Sequence, residues 1–188
     1  YKRMSTSHVK LALRGSHAAE VAAAAFFRGQ ACVGGGRVDL EHYAQQEGAA
    51  LERAREALSE ARVRPSLFQG VLNVGGMAAG MATGLAPQRV RLAVWSAVSE
   101  TLSDHYIEQL RAVREQQEAA SQPQADVAVR QILRELRDLE RTPEGAPPAP
   151  DILMLQKLEK VQELGVGGVA AVLVKWAGGH AIRAASRI

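Results

Sequence analysis

Residues 65–88 carry no charge, and within them Gly76, Gly80 and Gly84 recur at every fourth position. In a helix that spacing lines the three up on one face. A face without side chains lets a second helix come very close. The whole chain is built with the same economy. It has 33 Ala and 17 Gly, over a quarter of 188 residues, while aromatic residues are 4% and hydrophobic residues 47%. The interior must therefore be small residues between closely spaced helices. Period-two runs of β-branched and aromatic residues are absent, which argues against a β-sandwich or barrel. The single cysteine, Cys32, excludes a disulfide scaffold and a cysteine-based zinc site, and it reads as a small core residue. Charged residues at 23% with ordinary hydrophobicity exclude wholesale disorder.

The uncharged run is long enough to span a bilayer. Gln69, Asn73 and Thr83 lower its hydrophobicity, so a helix buried in protein or lying in the membrane interface competes with a true span. The remaining chain reads as helices separated by Gly and Pro punctuation. Residues 17–33 are strong helix formers, with Ser16 a candidate N-cap and Gly34, Gly35 and Gly36 ending the helix. Asp39 caps a second helix near 40–62, which Pro65 closes. Pro87 opens a long helix over 88–119, and an Arg-rich amphipathic helix follows over 125–141. Residues 142–150 form a Pro-rich linker. Asp151 caps a last helix, near 152–187, in which Gly165, Gly167 and Gly168 favour a kink. This predicts four regions: a basic arm 1–16, a helical domain 17–141 that includes an apolar helix 66–86, the linker 142–150, and an apolar C-terminal helix within 151–188.

A net charge of +3 is no nucleic-acid signature. Lys2, Arg3, Lys10 and Arg14 supply +4 before the first acid, Glu20, which leaves residues 15–188 at −1. No basic stripe with interleaved aromatics follows. The acid-free, Ser/Thr-bearing residues 1–16 resemble the tail of a mitochondrial presequence or the segment just after its cleavage; an ordinary solvated arm reads the same residues equally well.

Glu residues on several helices raise the question of convergence. Ferritin-like di-metal bundles need a carboxylate from each of two helices and Glu-x-x-His from each of the other two. Several stretches meet this pattern in part. They are His17-Ala18-Ala19-Glu20, similar to an HAGE motif, and Glu47-Gly48-Ala49-Ala50-Leu51, in the place of E-x-x-H-L. Arg64-Pro65-Ser66, Ala97-Val98-Ser99-Glu100 with His105-Tyr106, and Arg137-Asp138-Leu139-Glu140 follow in order. In this ordered set the chain resembles the demethoxyubiquinone hydroxylases, ferritin-like di-iron monooxygenases of ubiquinone biosynthesis. The resemblance implies an all-α, ferritin-like four-helix bundle with two additional apolar helices that face a membrane or a partner. It also implies ligand positions at Glu20, Glu47 and Glu140.

The other three ligand positions fall on Ala50, Ser99 and Pro143. Alanine has no donor atom, serine is a poor neutral ligand, and proline ends the helix. From this loss the sequence leads to a catalytically inactive relative, not an enzyme and without cofactor. It would serve as an accessory subunit of a mitochondrial inner-membrane complex, matrix side, most readily a respiratory one. Its partners would be other subunits and membrane lipid, with a quinone admissible and nucleic acid excluded. The alternatives are a quinone- or lipid-binding protein without chemistry, and an active hydroxylase with a rearranged metal site, for instance Glu100 with His105. Glu20, Glu47 and Glu140 are expected as solvated or Arg-paired residues, with Arg14, Arg53, Arg134 and Arg137 available; buried together, they should be protonated, salt-bridged or wet. His17 and His105 read as hydrogen-bonded structural residues, and Tyr106 as a packing anchor through its hydroxyl. Gly76, Gly80, Gly84 and Trp176 are expected on the membrane- or partner-facing surface, with Lys175 beside Trp176 at the interface.

Overall fold

The computed structural model describes residues 7–35, 37–120, 125–140, 148, 150 and 158–187. Among them are six helices and no strand: α1 (Ser7–Val33), α2 (Val38–Glu60), α3 (Gln69–Gly84), α4 (Gln88–Ala120), α5 (Ala125–Leu139) and α6 (Leu158–Arg187). The expected fold class is present, a ferritin-like bundle of α1, α2, α4 and α5 with α3 and α6 added to it.

The centre of the molecule is α1, which packs against all five other helices. It is buried on almost every side between Ala12 and Phe27. Alanine makes this workable, since a helix coated in methyl groups can be approached closely from several directions. The larger core side chains come from the neighbours, among them Leu40, Val94, Leu102, Leu133 and Leu136.

Helix α1 begins ten residues before the expected start. Val9, Ala12, Leu13 and Ser16 are buried on one face at helical spacing, and the Ser16 hydroxyl donates to the Ala12 carbonyl within the helix. Residues 7–16 therefore belong to the bundle and are no free arm; residues 1–6 lie outside those described. Arg37, rather than Asp39, occupies the N-cap of α2. Asp39 sits in the first turn, where its charge suits the helix dipole, and pairs with Arg37 at 3.2 Å. Most of the expected linker 142–150 and the expected cap at Asp151 lie outside the described residues. The break expected in the last helix falls at Gly165, whose φ of 61° is unfavourable for any residue with a side chain.

The glycine face of α3 turns inward, which corrects its expected role as an outer surface. A Cβ at Gly80 would overlap the Phe26 carbonyl of α1, and one at Gly29 would overlap the Met77 carbonyl of α3. The two backbones thus meet through reciprocal glycines. What α3 leaves outside is the opposite face, where Val71 and Val74 are exposed. Trp176 is exposed, as expected, but Lys175 is engaged inward with Glu100 and Asp104 of α4 at 2.9 and 3.7 Å. Residues Gly165–Arg187 are long and apolar enough to cross a membrane by length and composition. Here they lie along α4 and α1, burying Ala171, Val172, Ile182 and Ala185. Cys32 is exposed near the end of α1 and does not belong to the core.

A buried carboxylate cluster as candidate metal centre

Glu20 on α1, Glu47 on α2 and Glu140, just beyond the end of α5, converge inside the bundle. Each offers a carboxylate oxygen, and these atoms lie within 4.8 Å of one another. Glu20 is 0% and Glu47 3% exposed. Two links tie α2 to α5 and set Glu140 in place. The Gln46 side-chain amide donates to the Leu139 carbonyl at 2.8 Å, and Arg53 pairs with Glu135 at 3.0 Å. Gln46 carries no motif, and only its place beside Glu47 could have drawn attention to it.

The Tyr106 hydroxyl of α4 donates to Oε1 of Glu20. The hydroxyl anchor expected for Tyr106 is therefore present, and its partner is a site residue. The Oε2 atoms of Glu20, Glu47 and Glu140 are all enclosed and accept no hydrogen bond. Burial removes water from the charged forms and raises all three carboxyls. Glu20 rises to about 7, opposed by the Tyr106 hydrogen bond. Glu47 rises to about 8, with the Glu20 charge adding to burial. Glu140 lies well above the ordinary carboxylate range, through burial and then the charges of Glu47 and Glu20. Such groups hold protons near neutrality unless a cation replaces them.

Of the expected states, Arg pairing is not found, and protonation is the one the raised carboxyls favour. Arg53 binds Glu135 and Glu56, Arg137 binds Asp138, and Arg14 donates to the Arg64 carbonyl. The suggested pairing of Glu100 with His105 is also absent. Glu100 meets Lys175, whereas His105 faces the Gly15 backbone and the Arg183 charge. His17 and His105 are buried and held neutral, each lowered to about 4, chiefly by burial and then by Arg55 and Arg183 respectively. Neither joins the cluster, and His17 Nδ1 and His105 Nε2 have no hydrogen-bond partner. Ala50 and Ser99 are buried on α2 and α4; Pro143 lies outside the described residues.

Three enclosed anionic oxygens with free lone pairs fit a hard divalent cation. They do not complete the six-ligand shell of a dinuclear centre, because Ala50 and Ser99 bring neither imidazole nor carboxylate.

A second feature shares α1 with the cluster. A cavity of about 350 Å³ opens between α1, α3, α4 and α6, with Ala19 and Ala23 of α1, neighbours of Glu20 in sequence, in its wall. Thr101 is its one polar lining residue, and the Thr101 hydroxyl is already donated to the Ala97 carbonyl. The volume is in the range of small-molecule sites.

Fold and site together define a ferritin-like bundle with an interior carboxylate cluster, a class in which such clusters hold metal. The chain belongs to the family described as Ubiquinone biosynthesis protein COQ7, which matches residues 7–144. It is 30% identical over 141 residues to human "NADPH-dependent 3-demethoxyubiquinone 3-hydroxylase, mitochondrial", covering 73% of this chain and 62% of that one. It is likewise 30% identical over 132 residues to the mouse protein of the same name, covering 68% and 58%. A relative from Rhodospirillum rubrum, "3-demethoxyubiquinol 3-hydroxylase", is 31% identical over 101 residues, covering 52% and 48%. The chain thus spans less than two thirds of the length of these relatives.

These findings correct three expectations. The relatives are named as hydroxylases, which overturns the reading as an inactive accessory subunit of a respiratory complex. The non-enzyme reading falls with it. The absence of a cofactor is overturned as well, since the family is one of di-iron hydroxylases and three of its ligand positions converge here. Counting lost ligands along the sequence gave too much weight to the departures. It could not show that the remaining carboxylates stay together, buried and unpaired.

Proposed function

We propose that the chain is a quinone-ring hydroxylase of the demethoxyubiquinone type. The observation that carries this reading is that α1 supplies both Glu20 of the buried carboxylate cluster and, through Ala19 and Ala23, part of the wall of an apolar cavity. Glu20, Glu47 and Glu140 would hold the metal, which when bound supplies the means of activating oxygen. The cavity walls, apolar but for Thr101, would bind an apolar-tailed quinone and keep water from it. Tyr106 fixes one oxygen of Glu20 and holds a proton at its hydroxyl; burial and the surrounding carboxylates keep that phenol protonated. One oxygen atom of O2 replaces a ring hydrogen as a hydroxyl. The other leaves as water, with two electrons from NADPH, the reductant in the relatives' names.

The site of action is the mitochondrion, on the matrix side of the inner membrane. The mitochondrial relatives support the first part. An interfacial position is supported by the exposed Leu67, Val71, Val74 and Leu85 at and around α3, with Leu173 and Trp176 on α6. Val71 also lines the cavity, so a lipid-dissolved substrate can enter from an interfacial position. Membrane lipid is then the partner, and the quinone the substrate.

The test is turnover with a short-tailed demethoxyquinone, NADPH and isotope-labelled O2, read by mass spectrometry. The expected product carries one labelled oxygen. No labelled hydroxyl from metal-loaded protein overturns the proposal.

A further inference from the structure

We infer that Glu20, Glu47 and Glu140 together hold a single hard divalent cation, where the family's six-ligand pattern holds a pair. The inference rests on the hydroxylase reading for the presence of a metal, but it concerns how many ions this chain's own residues can bind.

The first argument is size. Oxygens each about 2.1 Å from a Mg2+-sized ion lie roughly 3.0 Å apart when adjacent and 4.2 Å when opposite. The three carboxylate oxygens already lie within 4.8 Å of one another. Shifts of less than about 1 Å per oxygen close them on one ion. The second argument is the enclosed lone pairs. Glu20 and Glu47 are at least nine-tenths buried, each offers a carboxylate oxygen to the cluster, and the Oε2 atom of each has no donor to satisfy it. Buried polar atoms without partners are uncommon, and a ligand is one reason for them.

The third argument is donor supply. Two ions about 3.5–4 Å apart each need ligands of their own. Where the pattern supplies them, this chain has the methyl group of Ala50 and the neutral hydroxyl of Ser99. Neighbouring groups do not substitute. Glu100 is engaged with Lys175, and no histidine joins the cluster among the described residues. An all-oxygen set also selects the kind of ion. Carboxylates alone favour Mg2+, Ca2+ or Mn2+ over metals that prefer imidazole or thiolate.

Mn2+ is the probe, added to chelator-treated full-length protein and followed by metal analysis and electron paramagnetic resonance. The expected result is one ion per chain with the hyperfine-split signal of an isolated Mn2+. Glu47→Gln should weaken binding by more than the ~10–100-fold typical of losing an outer partner. Glu118→Gln, exposed on α4 and paired only with Arg114, should leave binding unchanged. Thermal unfolding of Glu47→Gln checks that the variant is folded, and Glu20→Gln provides a second variant of the same kind. Two ions per chain with an exchange-coupled signal overturn the inference while leaving the hydroxylase reading in place. Binding that Glu47→Gln and Glu20→Gln leave intact overturns the assignment of the ligands. No binding at all overturns both the inference and the reading it rests on.

Discussion

Two buried polar residues on α1 have opposite fates. Gln30 is fully enclosed, and both ends of its amide are satisfied. Its oxygen accepts from the Trp95 indole, and its nitrogen donates to the Thr83 hydroxyl at 2.9 Å, which in turn donates to the Ala79 carbonyl at 2.8 Å. Glu20 lies ten residues earlier, about 15 Å along the helix axis. It is equally enclosed, yet only one of its oxygens has a partner, and the carboxylates around it lack partners in the same way. The first region is a closed polar network that joins three helices, with Tyr43 nearby, stacked on Phe27 and tilted against Trp95. The second is a set of carboxyls gathered without a counter-charge, which burial drives to keep their protons. A satisfied network adds stability; an unsatisfied one costs stability unless a ligand completes it.

Breaking the closed region should have the largest effect. Gln30→Ala strands the Trp95 indole N–H and opens a cavity, and should destabilise by about 3 kcal/mol, read from the midpoint of urea unfolding. Gly80→Ala forces a methyl group into the Phe26 carbonyl and should cost about 2 kcal/mol in the same measurement. Full stability in either variant would remove the claim that this end is the structural one.

The carboxylate end should respond with the opposite sign. In metal-free protein, Glu47→Gln removes an ionisable group that the fold disfavours and should stabilise by roughly 1 kcal/mol near pH 8. The pH dependence sharpens the contrast. Native Glu20 and Glu47 titrate near 7 and 8, against an ordinary 4.5. The native state therefore keeps protons that the unfolded chain has released. Their stabilising contribution is complete below about 4.5 and is lost as pH rises towards 8. His17 and His105, lowered from 6.5 to about 4, act in the reverse direction, since only the unfolded chain takes up their protons between those values. The two effects oppose each other up to pH 6.5. From there to about pH 8 the metal-free protein should lose stability steadily. Saturating Mn2+ should abolish that slope, and Glu47→Gln should flatten it. A metal-free protein whose melting temperature stays level across this window would show that the cluster is already neutralised by other means. The smallest effect is expected at Arg53→Ala. Its part-exposed ion pair with Glu135 should be worth no more than about 0.5 kcal/mol.

The helices were largely legible in the sequence because their signals are local: alanine-rich runs, Pro and Gly at the breaks, and an uncharged stretch of defined length. The boundaries that moved did so where packing extended a helix. The buried face of Val9, Ala12, Leu13 and Ser16 carries α1 past the basic residues that suggested an arm. The site was half legible. Glu20, Glu47 and Glu140 could be named from their spacing and resemblance, and Tyr106 from its place after His105. Their state could not be read, because whether a carboxylate meets an arginine, water or another carboxylate depends on helices far apart in sequence.

The sequence by itself determined an all-α chain, a glycine stripe that must meet something closely, and three ligand-type glutamates without their histidines. The tertiary structure decided which way the stripe faces and what surrounds the glutamates. The stripe turns inward because α1 offers it a surface of methyl groups and its own glycine at position 29. Residues 20, 47 and 140 meet where α1, α2 and α5 pack on one another, with Gln46 and Arg53 bridging α2 to α5. Helical periodicity sets the face a residue occupies on its own helix. Only the packing of one helix on another sets what that face encounters.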